Sequence, residues 1–262
     1  DADSSYFGDS CADTCGSDCC NGYNACSGFT GKVCRDGNSC NGGYSCYYAR
    51  VESVINGCSG YSSCWYTGYE GTVAAVHDSC LNDDACGWAA GNGGQVQIIK
   101  DWCRGDASCY RMAHGGGRVE LVESSCTGSA SCWELAADEG KVEVVKSSCS
   151  DYYACRYAAY SDGNVNHMLE SCHGYKACYD MAVYSGEVNQ VSHSCIGESV
   201  CNYAAGMYGR IEGILNSCDG GAEACFYAAY NDGSVGAISD SCIGDESCSN
   251  IAIHKATIGD IT

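Results

Sequence analysis

A repeat constrains this chain more than any other feature. Residues 125–145 read SCTGSASCWELAADEGKVEVV, and the same frame returns 23 residues later as SCSDYYACRYAAYSDGNVNHML and again as SCHGYKACYDMAVYSGEVNQV. The first cysteines of successive copies are Cys58, Cys80, Cys103, Cys126, Cys149, Cys172, Cys195, Cys218 and Cys242, in steps of 22, then six of 23, then 24. Their second cysteines are Cys64, Cys86, Cys109, Cys132, Cys155, Cys178, Cys201, Cys225 and Cys248. A fixed period of this length marks a solenoid, in which each unit buries its apolar face only by stacking on its neighbours. Looser copies at Cys20–Cys26 and Cys40–Cys46 precede the regular ones. Residues 1–38 are irregular and carry six cysteines, Cys11 to Cys34, outside the strict frame. They read as a disulfide-stapled cap, with residues 39–262 as the repeat domain.

Positions within the unit keep their chemistry. Four residues after the second cysteine comes a small residue: Gly68, Ala90, Ala113, Ala136, Ala159, Ala182, Ala205, Ala229 and Ala252. So persistent a small side chain predicts a tight interior position. Eight residues after the cysteine comes glycine, as at Gly94, Gly117, Gly140, Gly163, Gly186, Gly209 and Gly233. The pairs Asp162-Gly163 and Asp232-Gly233 suggest a turn in which glycine supplies the positive φ. Two and five residues beyond the glycine come apolar side chains, from Val73 and Val76 through Val165 and Met168 to Val235 and Ile238. These two columns are the expected core.

The unit suits strands rather than helices. Helical repeats need longer units rich in Leu, Glu and Lys, and leucine-rich repeats need an L-x-x-L-x-L frame that is missing here. Apolar runs here last about five residues, are β-branched, and end at Gly and Asp. The fold class expected is therefore all-β, a parallel β-helix with three short strands and three corners per coil, climbing about 4.8 Å per coil. Parallel crossovers are almost always right-handed, so the coil should be right-handed. Pro is absent, which fits a backbone whose N–H groups feed ladders between coils.

The chain has 26 cysteines, a density that implies disulfides and an oxidising compartment. Zinc would want short C-x2-C spacings, or histidines in register with the cysteines; neither occurs. Two pairing schemes fit the spacing. Each C-x5-C can close its own loop, or cysteines of one column can bond between adjacent coils, whose separation a disulfide tolerates. Loop pairing is preferred because it satisfies every coil alone and explains why the Cys218–Cys225 copy tolerates an extra residue. It leaves Cys11, Cys15, Cys19 and Cys34 for the cap.

Net charge is −20 with only 13 basic residues, which argues against nucleic acid and anionic membrane surfaces. Such a surface suits the extracellular medium and would tolerate divalent cations or glycans as partners. No apolar run reaches the roughly 18 residues of a membrane span, so no membrane insertion is expected. Acids such as Asp138, Glu139, Asp162 and Asp232 sit at corners, where turn formation accounts for them. The histidines, His77, His114, His167, His173, His193 and His254, occupy different columns and read as surface or edge residues. No catalytic constellation or cofactor motif stands out, so the chain reads as non-enzymatic. Aromatics are the more open matter. Tyr66, Trp88, Tyr157, Tyr203 and Tyr227 share the column two after the second cysteine, and Tyr69, Tyr160 and Tyr230 the column five after. Such ridges either stack on sugar rings or merely pack coil against coil.

The SC-x-G-x-x-x-C, Ala, Gly, V-x-x-V unit, over about residues 39–262, resembles the Cys-rich β-helix repeats of secreted proteins of stramenopile microalgae. Some of those belong to flagellar hairs and cell-surface material. The resemblance implies an extracellular or cell-surface structural role and brings no catalytic residue. The columns continue to Ile258 and Ile261, and the sequence stops at Thr262 where a new SC loop is due. A rung left bare there would template another chain, so the expected function is a subunit that assembles with itself head to tail into a fibre. A carbohydrate-binding adhesin using the Tyr ridges is the alternative, and a polysaccharide-active enzyme the third reading.

Overall fold

The structure, a computed structural model, describes residues 68–77, 88–101, 111–125, 132–148, 155–171, 173, 178, 180–194, 201, 203–216, 225, 227–240 and 250–262, with the backbone of 30–31, 50–51 and 53–55. These residues form strands and turns and no helix. The chain is a parallel β-solenoid, as the period predicts. Ten strands, from Ser53–Ile55 through Asn164–Leu169 to Thr257–Ile261, stack in coil order into one parallel sheet. Seven two-residue strands, from Ala113–His114 to Ala252–Ile253, stack into a second. From Ala113 onward each coil thus contributes two described strands, and the three coils before it contribute one each to these sheets. The side carrying the C-x5-C pair, where a third was expected, lies outside the described residues. So does the expected cap, apart from Thr30–Gly31, which pairs in parallel with Arg50–Val51.

The repeat period sets the register. Val165 lies between Val142 and Val188, and Met168 between Val145 and Val191. From Val73 and Val76 to Val235 and Ile238 both columns are buried, which bears out the core expected from V-x-x-V, while in the last coil Ile258 is half-buried and Ile261 exposed. Their spacing of three needs an explanation, because residues three apart on a regular strand face opposite sides. In Asn164–Leu169 the third residue, Asn166, drops out of the paired register, and so does Asn189 in Glu187–Ser192. Pairing is interrupted at that residue, and the apolar side chains on either side of it are both buried. The observed burial of Gln95–Lys100 and Arg118–Glu123 follows suit, with only the second and fifth residues buried.

The alanine column lies on the short strands, with Ala159 between Ala136 and Ala182, and Ala90 to Ala229 are fully buried. The residue before each alanine is buried too, including Met112, Leu135 and Met181, a column the sequence reading did not single out. Second cysteines Cys132, Cys155, Cys178, Cys201 and Cys225 complete one continuous core. Each fully buried Val, Ile or Met contributes about 1.5–3 kcal/mol, and every coil repeats the contribution.

The glycine column is real, but its cause differs from the one expected. Gly163 and Gly233 do not carry the positive φ. The left-handed conformation falls on the two residues before them, Ser161 (φ 50°) and Asp162 (φ 64°), and Asn231 (φ 47°) and Asp232 (φ 62°). What demands glycine is crowding between coils: a Cβ on Gly163 would lie 2.0 Å from the Ala136 carbonyl oxygen, and one on Gly117 would lie 1.5 Å from that of Ala90. The left-handed corners, which strain non-glycine residues, keep the inter-coil ladder intact. Asp138 N–H donates to Tyr160 C=O at 3.2 Å, and Asp162 N–H to Tyr184 C=O at 3.1 Å.

The serine of the recurring SC pair has its own ladder. Ser148, Ser171 and Ser194 are buried. Each hydroxyl donates to the carbonyl two residues back, as Ser171 Oγ does to Leu169 C=O at 2.8 Å. It also accepts from the serine N–H of the preceding coil, as Ser194 Oγ does from Ser171 at 3.1 Å. A hydroxyl is small enough for this interior and satisfies donors and acceptors that a buried corner would otherwise leave open.

Candidate functional site

The short strands carry side chains of a different character on their outer side. Two positions flank the buried alanines: the residue two after the second cysteine and the residue just after the alanine. The first of these is left-handed in every described coil, including Trp88 (φ 60°), Glu134 (φ 56°), Tyr157 (φ 56°), Asp180 (φ 53°) and Tyr203 (φ 52°). Its N–H still ladders to the next coil, as from Glu134 to Arg156 C=O at 3.1 Å. Repetition therefore holds the backbone in place while the side chain is free to vary.

The tyrosines singled out in the sequence come together here. Tyr157 and Tyr160 meet edge to face at 5.4 Å, and Tyr203 meets Tyr230 at 5.5 Å and 88°. Tyr227 lies 5.0 Å from Tyr203. Between the Tyr160 and Tyr230 coils the position after the alanine is Val183 and then Gly206, both buried. These small residues leave a gap two coils wide. The gap is a groove of about 210 Å³ lined by Tyr157, Asp180, Val183, Tyr184, Tyr203, Gly206, Met207 and Tyr230. Tyr184 and Met207, at its rim, are 48% and 38% exposed, large apolar surface left open to solvent. Neither had been singled out, because each occupies a column whose other members are Glu, Asn, Gly, Asp, Ser and His.

Polar groups fix one wall. The Arg156 guanidinium lies 4.6 Å from the Tyr157 ring centroid and 5.9 Å from that of Trp133. Its Nη2 donates to Tyr157 Oη at 2.9 Å and reaches Asp180 Oδ2 at 3.4 Å. Burial, aided by the Asp180 charge, holds the Tyr157 hydroxyl above its ordinary pKa, and burial with the nearby Glu134 does the same for Tyr160. Both therefore remain neutral hydroxyls able to donate and accept.

Further along the same face lies a second cluster. Trp88 and His114 rings lie 4.3 Å apart, and Arg111 sits 5.2 Å over Trp88 while pairing with buried Glu134 at 2.5 Å. His114 Nε2 is 2.6 Å from Asp138 Oδ2. Burial outweighs the attraction of Asp138 and holds the imidazole below its ordinary pKa, so it donates Nε2–H as a neutral ring. His114 is thus no plain surface residue. The reading by columns missed it because its partners, Trp88, Arg111, Glu134 and Asp138, are spread over three coils.

Of the cysteines expected to bridge, Cys132, Cys155, Cys178, Cys201 and Cys225 are buried and disulfide-bonded. Their expected loop partners Cys126, Cys149, Cys172, Cys195 and Cys218 lie outside the described residues, as do Cys58, Cys64, Cys80, Cys86, Cys103, Cys109, Cys242 and Cys248. Among the described residues no three His, Cys, Asp or Glu side chains gather as a metal site, and no helix is long and apolar enough to cross a membrane. No protein-family model, curated protein or solved structure matches the chain.

Proposed function

We propose that this protein is an extracellular, non-catalytic structural scaffold that holds carbohydrate along its aromatic face. The observation that carries the reading is the groove between Tyr160 and Tyr230, where Val183 and Gly206 make room among tyrosines. Sugar recognition asks for flat apolar rings to take the C–H face of a pyranose and for a few polar groups to take its hydroxyls. Tyr203, Tyr184 and Tyr230 supply the rings, and Asp180 and Tyr157 the polar groups. The disulfide-bonded cysteines support an oxidising, extracellular setting. The test is binding of the protein to a glycan array, repeated with Tyr203→Ala. Selective binding that the substitution weakens by about two- to tenfold, the range one ring contact carries, supports the reading. An array without signal overturns it.

Self-assembly into a fibre is a second reading, favoured by the constancy of the coil. Successive coils pair through the same positions, as in Val188 with Ile211 and Ile211 with Val235, so a rung of a second copy would fit the same ladder. Electron micrographs and sedimentation of concentrated protein test it, and a monomer at every concentration would sink it.

A further inference from the structure

We propose, resting on the sugar-binding reading, that the ligand is a neutral, extended β-linked polysaccharide lying along the coil axis, and that Trp88 and His114 form a second platform on its track. Ring spacing carries the argument. In the column just after the alanine, rings occur at Tyr69, His114 and Tyr160, with Gly91 and Ala137 in the intervening coils. The rings therefore recur every second coil. At about 4.8 Å per coil this is about 10 Å, close to the length of two pyranose units in an extended 1,4-β-linked chain. Such a chain shows the same sugar face at every second unit, so Tyr69, His114 and Tyr160 meet equivalent faces, while Tyr230, three coils beyond Tyr160, meets the opposite one. The two-coil gap at Val183 and Gly206 then accommodates the units between Tyr160 and Tyr230.

Charge selects the class. Arg111 is held by Glu134, Arg156 by Asp180 and His114 by Asp138. Each of these cationic or basic groups already faces a carboxylate, and the chain carries a net charge of −20. Uronate or sulfated chains would meet repulsion, whereas neutral sugars would meet rings and hydrogen-bonding groups. From the coil of Trp88 to that of Tyr230 is six coil steps, about 29 Å. That is room for about six sugar units, while the tyrosine groove alone spans about three.

Calorimetric titration of the full chain with cellotriose, cellohexaose, maltohexaose and hexagalacturonate tests the proposal. The expected result is that cellohexaose binds about two- to tenfold tighter than cellotriose, as one further ring contact would give. Trp88→Ala should abolish that gain and leave cellotriose binding unchanged, with Trp88→Phe, which keeps a ring, restoring most of it. Tyr203→Ala should weaken both. If cellotriose binds but cellohexaose binds no tighter, the second platform falls and the groove stands. Tighter binding of maltohexaose, a curved chain, refutes the extended geometry, and tighter binding of hexagalacturonate refutes the neutral class. Failure of all four to bind overturns this proposal, and together with a silent glycan array overturns the sugar-binding reading itself.

Discussion

The two sheets divide the work of the molecule differently. On the ten-stranded sheet the inside repeats, while the outer side chains change from coil to coil, as in Gln95, Arg118, Lys141, Asn164 and Glu187. Its interior is the two apolar columns, and its outer face is laced coil to coil by pairs such as Lys100–Glu123 at 3.1 Å and Asn189–Asn166 at 3.0 Å. On the seven-stranded sheet one interior column repeats strictly, as alanine over alanine, and the outer side chains, Trp88, Arg111, Glu134, Tyr157, Asp180 and Tyr203, bring rings together among the charges. The comparison teaches that a solenoid can fix its backbone by ladders and interior residues and leave its outer faces free to vary, and here the rings gather on the short-strand face. A recognition surface has room to diversify there without endangering the fold.

The comparison breaks first, and hardest, at the glycines between the two sheets. Gly163→Ala would put a Cβ 2.0 Å from a backbone oxygen of the neighbouring coil, which no rotamer change relieves. We expect a loss of about 4 kcal/mol or more, at the far end of single-substitution effects, in thermal or denaturant unfolding. Gly116→Ala is the matched control. It has φ 76° with nothing within 4 Å of its Cβ, so only the left-handed strain of about 1 kcal/mol remains. Equal losses at the two sites would mean that conformational freedom, not coil spacing, fixes the glycine column.

The two interiors should then respond oppositely to volume. Ile214 lies in the long-strand core and Ala159 in the alanine column, and both are fully buried. Ile214→Ala leaves a cavity and should cost about 2–5 kcal/mol. Ala159→Leu overpacks and should cost about 1–3 kcal/mol. A neutral Ala159→Leu would show that the short-strand interior has slack, and that the strict alanines have another cause.

How far these features were legible in the sequence follows the same division. The period, the parallel strands and both apolar columns were readable because each coil repeats them with similar residues. The glycine column was readable as a position but not as a cause, since crowding from a neighbouring coil depends on contacts 27 residues away, as between Gly163 and Ala136. Met112, Leu135 and Met181 escaped notice because their column mixes large and small residues. The groove was half legible. The tyrosines were named, but Asp180, Tyr184 and Met207 belong to columns of mixed chemistry. The usable signal was the reverse of a motif: Val183 and Gly206, two successive coils without a ring in a column where Tyr69, His114 and Tyr160 alternate with Gly91 and Ala137.

A smaller effect separates recognition from packing on the aromatic face. Tyr230 touches Tyr203 at 5.5 Å and His254 at 5.4 Å, both nearly perpendicular. If the rings also brace the stack, Tyr230→Ala should cost about 0.5–1.5 kcal/mol of stability besides weakening sugar binding. Unchanged unfolding together with lost binding would assign the ring to recognition alone.

The smallest expected effect is a pH dependence confined to the aromatic face. His114 faces Trp88, Asp138, Arg111 and Glu134, and burial holds its pKa below the ordinary value of 6.5. The unfolded chain then binds the proton more readily than the folded one. Stability from this site is thus fully present above the unfolded value, begins to fall as pH drops below it, and is lost as pH passes down through the folded value. The ten-stranded sheet holds no counterpart among the groups with shifted pKa, since Lys100 there is raised by its Glu123 partner and titrates far above this window. Wild type should therefore lose stability between about pH 7 and 5, and His114→Phe, which keeps a ring against Trp88 but cannot titrate, should flatten that slope. The carboxylates add their own slope nearer pH 4, so the decisive measurement is the difference between the two proteins' unfolding midpoints across the window. A difference that stays constant with pH would show that His114 keeps an ordinary pKa and that its contact with Asp138 compensates fully for its burial.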